Sequence, residues 1–402
     1  MKYIVILGDG MADLPHEALG GHTPLDIARK PMMDWLATHG EMGLVRTIPA
    51  GMPPGSDVAN LSVMGYDTAV YYTGRSPLEA ASIGVDLLPT DYTFRCNLVT
   101  LSEEEPYDRK IMVDYSSDEI TTPEAKQLIQ AVGELFNTDR LHFYRGRSYR
   151  HLLVWHQAPE GFILTPPHDI SGKAITAYLP KGPDPVLGDI MRRSYDLLNS
   201  HPVNQARRSR GLRPANSVWF WGAGKKPQLA DFSRKFGVRG SVISAVDLVM
   251  GLGVCAGLRT VEVEGATGNI NTNFAGKGQA AIRELLSGQD MVYVHVEAPD
   301  ESGHRFEPEN KVKSIEMIDE KIIRPLTEAL DDAGEPYAML VMPDHPTPLC
   351  FRTHTSDPVP YVLYRSTSPE QHEPRVYNEK NAAATGIFVE KGYTMMEKLI
   401  RG

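Results

Sequence analysis

The chain reads as an α/β protein: a mostly parallel sheet with helices on both faces, and a smaller α/β domain inserted into it. Three unbroken apolar runs predict the sheet, Tyr3–Leu7, Met291–Val296 and Ala338–Met342. None alternates with period two, which is the mark of strands buried on both faces under helices. Each run is followed closely by an aspartate, Asp9, Asp300 and Asp344 respectively. Open α/β sheets bind ligands beyond the carboxyl ends of their strands.

Helix signals lie between the runs. Thr23 and Pro24 suit an N-cap and first turn, with Asp26 favourable to the helix dipole. Pro31 opens a second helix that Gly40 ends. The Gly/Pro-rich loop 51–55 runs into an apolar segment headed by Ser56 and Asp57. From 310 to 330, Val312, Ile315, Ile318, Ile322 and Ile323 recur near a 3.6-residue period. Gly251-Leu-Gly253 fits GxGxxA but follows a helix-like segment, so it is no dinucleotide site.

The middle of the chain differs, with acidic runs, Pro-rich loops and two basic clusters. One is Arg207, Arg208, Arg210 and Arg213, beside Asn216, a solvated helix face on its own reading. The other, Arg145 to His151 with Arg147 and Arg150, concentrates donors suited to phosphate. Because aspartate-bearing strands flank this stretch, residues 88–235 are read as an inserted domain, with 1–87 and 236–402 forming one catalytic domain.

Composition narrows the function. The 402 residues carry 41 basic and 51 acidic side chains, net −10, which argues against a sequence-independent nucleic-acid binder. Cys96, Cys255 and Cys350 are too few and too scattered for a disulfide framework or zinc site, and read as buried small residues. No run approaches the roughly 20 apolar residues of a membrane span. A cytoplasmic enzyme without nucleic-acid or membrane partners is expected, of open oligomeric state.

Asp9, Ser56, Asp300, His304, Asp344, His345 and His354 supply carboxylates, imidazoles and one hydroxyl, the donors a divalent cation takes. Asp300 and His304 are one helical turn apart and suit one ion. On an extended segment Asp344 and His345 would point apart, one toward each of two ions. A metal ion would lower the pKa of the Ser56 hydroxyl and make it a nucleophile.

In order and spacing this set is similar to the two-metal set of the alkaline phosphatase superfamily. More narrowly, the chain resembles the archaeal-type cofactor-independent phosphoglycerate mutases. The likeness runs through Gly8-Asp-Gly-Met-Ala-Asp13, Pro54-Gly-Ser-Asp-Val-Ala-Asn60, Tyr72-Thr-Gly-Arg-Ser-Pro-Leu-Glu-Ala80, Phe94-Arg-Cys-Asn97, Arg150-His-Leu-Leu153, Gly265-Ala-Thr-Gly268 and His354-Thr-Ser-Asp-Pro-Val-Pro360. It implies an alkaline-phosphatase-like fold with a cap domain that holds the substrate. It implies isomerase activity in glycolysis and gluconeogenesis, interconverting 3-phosphoglycerate and 2-phosphoglycerate through a phosphoserine at Ser56, without 2,3-bisphosphoglycerate.

By the same resemblance, Asp9, Ser56, Asp344 and His345 hold one metal ion, and Asp300, His304 and His354 the other. Mn²⁺, Zn²⁺ and Mg²⁺ are all admissible. Lys277 resembles a family lysine near the serine. Arg150, His151, Arg213 and Asn216 are the expected contacts for the small phosphorylated substrate. One departure bears on the acceptor: Trp221 stands where the archaeal mutases have an arginine. An indole has a single N–H and no charge, so it cannot clamp an anion as a guanidinium does. A bacterial branch with such a tryptophan is linked to homoserine phosphorylation, which gives the alternative function; a metal-dependent phosphomonoesterase is the third.

Overall fold

The first apolar run becomes a strand covered on both faces, with Ile4, Val5, Ile6 and Leu7 all fully buried. The computed structural model describes residues 1–402. In chain order its strands begin with β1 (Lys2–Gly8), β2 (Glu41–Val45), β3 (Asp91–Leu101), β4 (Met112–Asp114), β5 (Leu141–Tyr144), β6 (Arg150–His156) and β7 (Ser217–Lys225). There follow β8 (Gly240–Ile243), β9 (Arg259–Val261), β10 (Met291–Val296), β11 (Tyr337–Met342), β12 (Val359–Arg365) and β13 (Phe388–Val389).

The chain divides into two units, residues 1–72 with 228–402, and residues 73–227. The first holds an eight-stranded sheet in the order β13-β2-β12-β11-β1-β10-β8-β9. Only β12 runs against the others. The three predicted runs are its central neighbours, β11, β1 and β10. Their register sets Leu7 beside Met342 and Gly8 beside Val296, so the chain leaves all three strands at one edge of the sheet. Asp9, Asp300 and Asp344 follow from that alignment.

On one face, Ile4, Ile6, Val292, Val294, Met339 and Val341 pack with helices Pro31–His39 and Phe274–Leu286 and the helical stretch from 308 to 332. That stretch, expected as one amphipathic helix, widens into a π-turn at Asp319–Ile323. Pro325 has no N–H to give residue 321, so the regular ladder cannot continue there. The Asp319 carboxylate accepts the Met32 and Met33 N–H groups at the start of Pro31–His39. The short Thr23-capped helix Pro24–Ile27 has the full capping box with Asp26.

The second unit is an antiparallel sheet, β4-β3-β6-β5 with β7 along β3, packed under helices Thr122–Phe136 and Val186–Asn199. Its limits differ from those read in the sequence at 88 and 235. The helix Ser76–Ser82 belongs to it: Ser76 Oγ bonds Thr93, and Gly74 lies so close to β7 that a Cβ would fall 2.3 Å from the Ala223 carbonyl. Phe232 and Phe236 pack against each other within the first unit, their rings tilted by 49°.

Two readings need correction. Arg207 is not on a solvated face; it is buried, its guanidinium fork reaching Glu124 and the carbonyls of Ser117 and Arg213 at once, so that its N–H groups are satisfied inside the fold. Cys350 is exposed, on the loop after β11 that also carries metal-type ligands.

Lys311 ties that loop down. Its fully buried ammonium bonds Asp13 Oδ2 at 2.6 Å and the Thr347 carbonyl at 2.8 Å. Lys311→Met leaves Asp13 as a buried charge without its cation and is expected to cost about 3–5 kcal/mol. Urea unfolding followed by circular dichroism measures it; a midpoint within error of the parent refutes the assignment.

Candidate active site

Ser56 is the first residue of the helix Ser56–Val63, with Gly55 as its N-cap. Its Oγ lies 3.1 Å from His345 Nε2. One turn on, the Asn60 amide donates to the Ser56 carbonyl and, at 2.9 Å, to Asp344 Oδ2, while its oxygen accepts the Tyr293 hydroxyl. The other Asp344 oxygen takes the N–H groups of Gly10 and His345. These contacts fix the serine and the carboxylate against one another.

His345 Nε2 is 3.4 Å from both Asp9 Oδ1 and Asp344 Oδ2. Adjacent residues therefore turn to the same point, and the expectation that Asp344 and His345 point apart is corrected. Strand pairing ends at Met342, so pleat alternation no longer governs them. The Thr347 hydroxyl donates to Asp300 Oδ1, so toward His345 Nδ1, at 3.3 Å, it accepts. The proton thus sits on Nδ1, and Nε2 presents a lone pair to the cluster. Burial lowers the His345 pKa and keeps the ring neutral.

A second group stands beside it. Asp300 and His304 lie on the helix Ala298–His304, with Asp300 Oδ2 3.2 Å from His304 Nε2. His354 Nε2 is 3.3 Å from Asp300 Oδ1 and 2.9 Å from His304 Nε2. His304 Nδ1 faces the Arg352 carbonyl at 2.9 Å and must donate to it, which turns Nε2 inward.

Negative charge is concentrated here, and His304 and His354 offset it at Asp300 but not at Asp9. Burial, then Asp344, Asp300 and Glu297, push the Asp9 pKa well up. Burial acts in the same direction on Asp300, but hydrogen bonds and charge from His304 and His354 hold it well below the usual range. Burial would lower His304, yet Asp300 raises it to about 9, so a proton competes with a metal ion for its Nε2. Asp9 Oδ1 is buried with no hydrogen-bond partner. Such an orphaned oxygen, with inward-facing imidazoles and carboxylates within 4.8 Å of one another, fits divalent cations.

Lys277, on Phe274–Leu286, is fully buried; its ammonium bonds the His295 carbonyl at 2.8 Å, and burial lowers it to about 8 against the pull of Glu297 and Asp9. His295 itself escaped the sequence reading. It lies 3.0 Å from Asp9 Oδ2, and the available signal was an imidazole inside an otherwise apolar buried run.

The remaining expected residues are in the second unit. Arg150 is exposed and lies over Tyr149. His151 is buried opposite Cys96, with Nδ1 bonded to the Gly146 N–H and Nε2 unpartnered. Arg213 pairs with Asp114 and Asp118. Asn216 is buried, its amide closed on both backbone groups of Leu101, which makes it part of the framework. Trp221 stacks on its cross-strand neighbour Arg95, guanidinium carbon 4.0 Å from the ring centre, and donates to Asn97 Oδ1. Glu79 bridges Arg95 and Arg75.

Comparison with known proteins gives the chain's family. A family model described as 2,3-bisphosphoglycerate-independent phosphoglycerate mutase matches residues 37–204. A Geobacter sulfurreducens protein named as a probable 2,3-bisphosphoglycerate-independent phosphoglycerate mutase is 50% identical, with all of both chains covered. A Methanothrix thermoacetophila protein of that name is 47% identical over the same full coverage. This chain belongs to the 2,3-bisphosphoglycerate-independent phosphoglycerate mutase family.

Solved structures bear out the mutase-family architecture. The PH0037 protein of Pyrococcus horikoshii is 28% identical, with a TM-score of 0.82 over 99% of this chain and 96% of that one. A cofactor-independent phosphoglycerate mutase from Thermoplasma acidophilum is 25% identical, with a TM-score of 0.63 over all of both chains.

Gly10 offers a test of the packing behind this mutase-family site. At φ +62°, a Cβ there would fall 2.5 Å from Thr347 Oγ1 and 2.8 Å from the Asp300 Cα. Gly10→Ala is expected to lose about 1–2 kcal/mol from its left-handed backbone alone. By displacing Asp300, it should also weaken cation binding roughly 10-fold. Thermal unfolding and Mn²⁺ titration read the two effects; unchanged Mn²⁺ affinity refutes the second.

Proposed function

We propose that this chain interconverts 3-phosphoglycerate and 2-phosphoglycerate, with Ser56 carrying the phosphoryl group between the two glycerate hydroxyls. The observation that carries this reading is the Ser56 hydroxyl at a helix start, 3.1 Å from the neutral His345 Nε2. Divalent cations held by Asp9, Asp344, His345 and Ser56, and by Asp300, His304 and His354, would supply charge to lower the hydroxyl's pKa and offset that of the phosphate. Mixed carboxylate and imidazole donors of this kind admit Mn²⁺, Zn²⁺ or Mg²⁺.

Ser56 Oγ attacks phosphorus as its own proton leaves. The bond from phosphorus to the glycerate oxygen breaks, and that oxygen takes up the proton that Ser56 releases, so the exchange is balanced. The reverse sequence places the phosphoryl group on the neighbouring hydroxyl, so no external donor is consumed. Asn60 and the Gly10 and His345 N–H groups keep Asp344 oriented throughout.

To the second unit we assign the grip on the glycerate. Support comes from Arg75, Arg95 and Arg150, near enough that Arg95, lowered to about 10 chiefly by burial, also feels both neighbours. A cytoplasmic location belongs to the same reading; no helix is long and apolar enough to cross a membrane.

Metal-stripped protein restored with Mn²⁺ is expected to convert 3-phosphoglycerate in an enolase-coupled assay and to lose that activity on chelation. Turnover only with ATP and homoserine, or release of free phosphate alone, would overturn the mutase reading. Ser56→Ala should lower turnover about 10³-fold or more. Its total bound Mn²⁺ at saturation should stay near the parent's, and parental turnover would remove Ser56 as the nucleophile.

A further inference from the structure

His295 has no part in the phosphoryl transfer just described, yet it is fully buried against Asp9. Its Nε2 lies 3.0 Å from Asp9 Oδ2, and its Nδ1 lies 3.2 Å from Ser244 Oγ. Ser244 follows β8, and its Oγ already accepts the Val246 N–H at 3.0 Å. The serine's single proton is therefore available for His295 Nδ1. With Nδ1 accepting, the ring proton belongs on Nε2 and is donated to Asp9 Oδ2. The other tautomer would strand the Ser244 proton in a buried place and turn two lone pairs against each other.

The two Asp9 oxygens are thus unlike. Oδ2 is occupied by His295, whereas Oδ1 is orphaned and 3.4 Å from His345 Nε2. Asp9 lies within 4.8 Å of ligand atoms from Asp300 and His345 and also from Asp344, a position from which a carboxylate could serve two cations at once. Lys277 holds the His295 carbonyl, so the imidazole is anchored through its backbone as well as its ring.

We propose that His295 is a positioning residue whose Nε2–H occupies Asp9 Oδ2, so that Asp9 serves a single cation through Oδ1, together with Asp344, His345 and Ser56. The inference rests on the reading of Asp9 as a metal ligand. It makes the two cation sites unequal: one depends on the Ser244–His295 pair and the other does not.

The test uses metal-stripped full-length protein and Mn²⁺ alone, with free Mn²⁺ followed by electron paramagnetic resonance and binding by calorimetry. His295→Ala is expected to weaken one of two sites 10–100-fold while stoichiometry still reaches two. His295→Gln, whose amide N–H can stand near the imidazole Nε2, should recover most of the affinity. Ser244→Ala leaves the imidazole in place and should weaken the same site several-fold, which keeps the inference testable if His295→Ala does not fold. Parental Mn²⁺ affinity in a folded His295→Ala or Ser244→Ala protein overturns it. Loss of a whole equivalent in His295→Gln also overturns it, by making His295 a ligand. Asp9→Ala separates the underlying reading: two equivalents bound with parental affinity would remove Asp9 as a ligand, whatever His295 does.

Discussion

Three carboxylates, Asp9, Asp300 and Asp344, are held together in a buried place, and the site is organised around that cost. Mutual repulsion and desolvation both oppose the arrangement. Each carboxylate is met by directed donors: Asp344 by the Gly10 and His345 N–H groups and the Asn60 amide, Asp300 by Thr347, Asp9 by His295. Those donors orient the carboxylates without neutralising them. His304 and His354 supply part of the opposing charge at Asp300, and the inward-facing imidazoles with the orphaned Asp9 oxygen form a place that fits divalent cations.

Parallel strands make such a concentration possible. Adjacent strands that run the same way deliver their following loops to one edge, so β11, β1 and β10 each contribute an aspartate to a shared volume. Rigid anchoring then limits how far these loops relax apart. Lys311 joins the segment after β1 to the segment after β11, and the Thr347 carbonyl and hydroxyl link that lysine to Asp300. Pre-set ligands of this kind spare the enzyme the reorganisation that loose loops would require at each turnover.

The second unit follows a different logic. Its basic residues are largely consumed internally: Arg207 and Arg213 satisfy acidic loops, and Arg95 lies between Glu79 and the face of Trp221. The Trp221 indole packs on the Arg95 guanidinium and donates to Asn97, a stacked contact that the flat faces of both groups favour. Arg150 and His151, adjacent in sequence, part company: strand alternation leaves the first exposed and sends the second into the core.

Much of this was legible in the chain itself. Apolar runs ending at aspartates identify central parallel strands, since only burial on both faces tolerates such runs. Asp9, Ser56, Asp300, His304, Asp344, His345 and His354 supply donors that suit divalent cations, and their order and spacing carry the resemblance from which the expected chemistry came. Local patterns also located the cap at Thr23 and the helix start at Pro31. Tertiary structure alone decided that Asp344 and His345 converge, that His295 is drawn to Asp9, and that Asn216 and Arg207 serve the framework. Each of those outcomes depends on which distant group reaches a buried polar atom, and spacing along one strand or loop does not encode a partner that lies 83, 115 or 286 residues away.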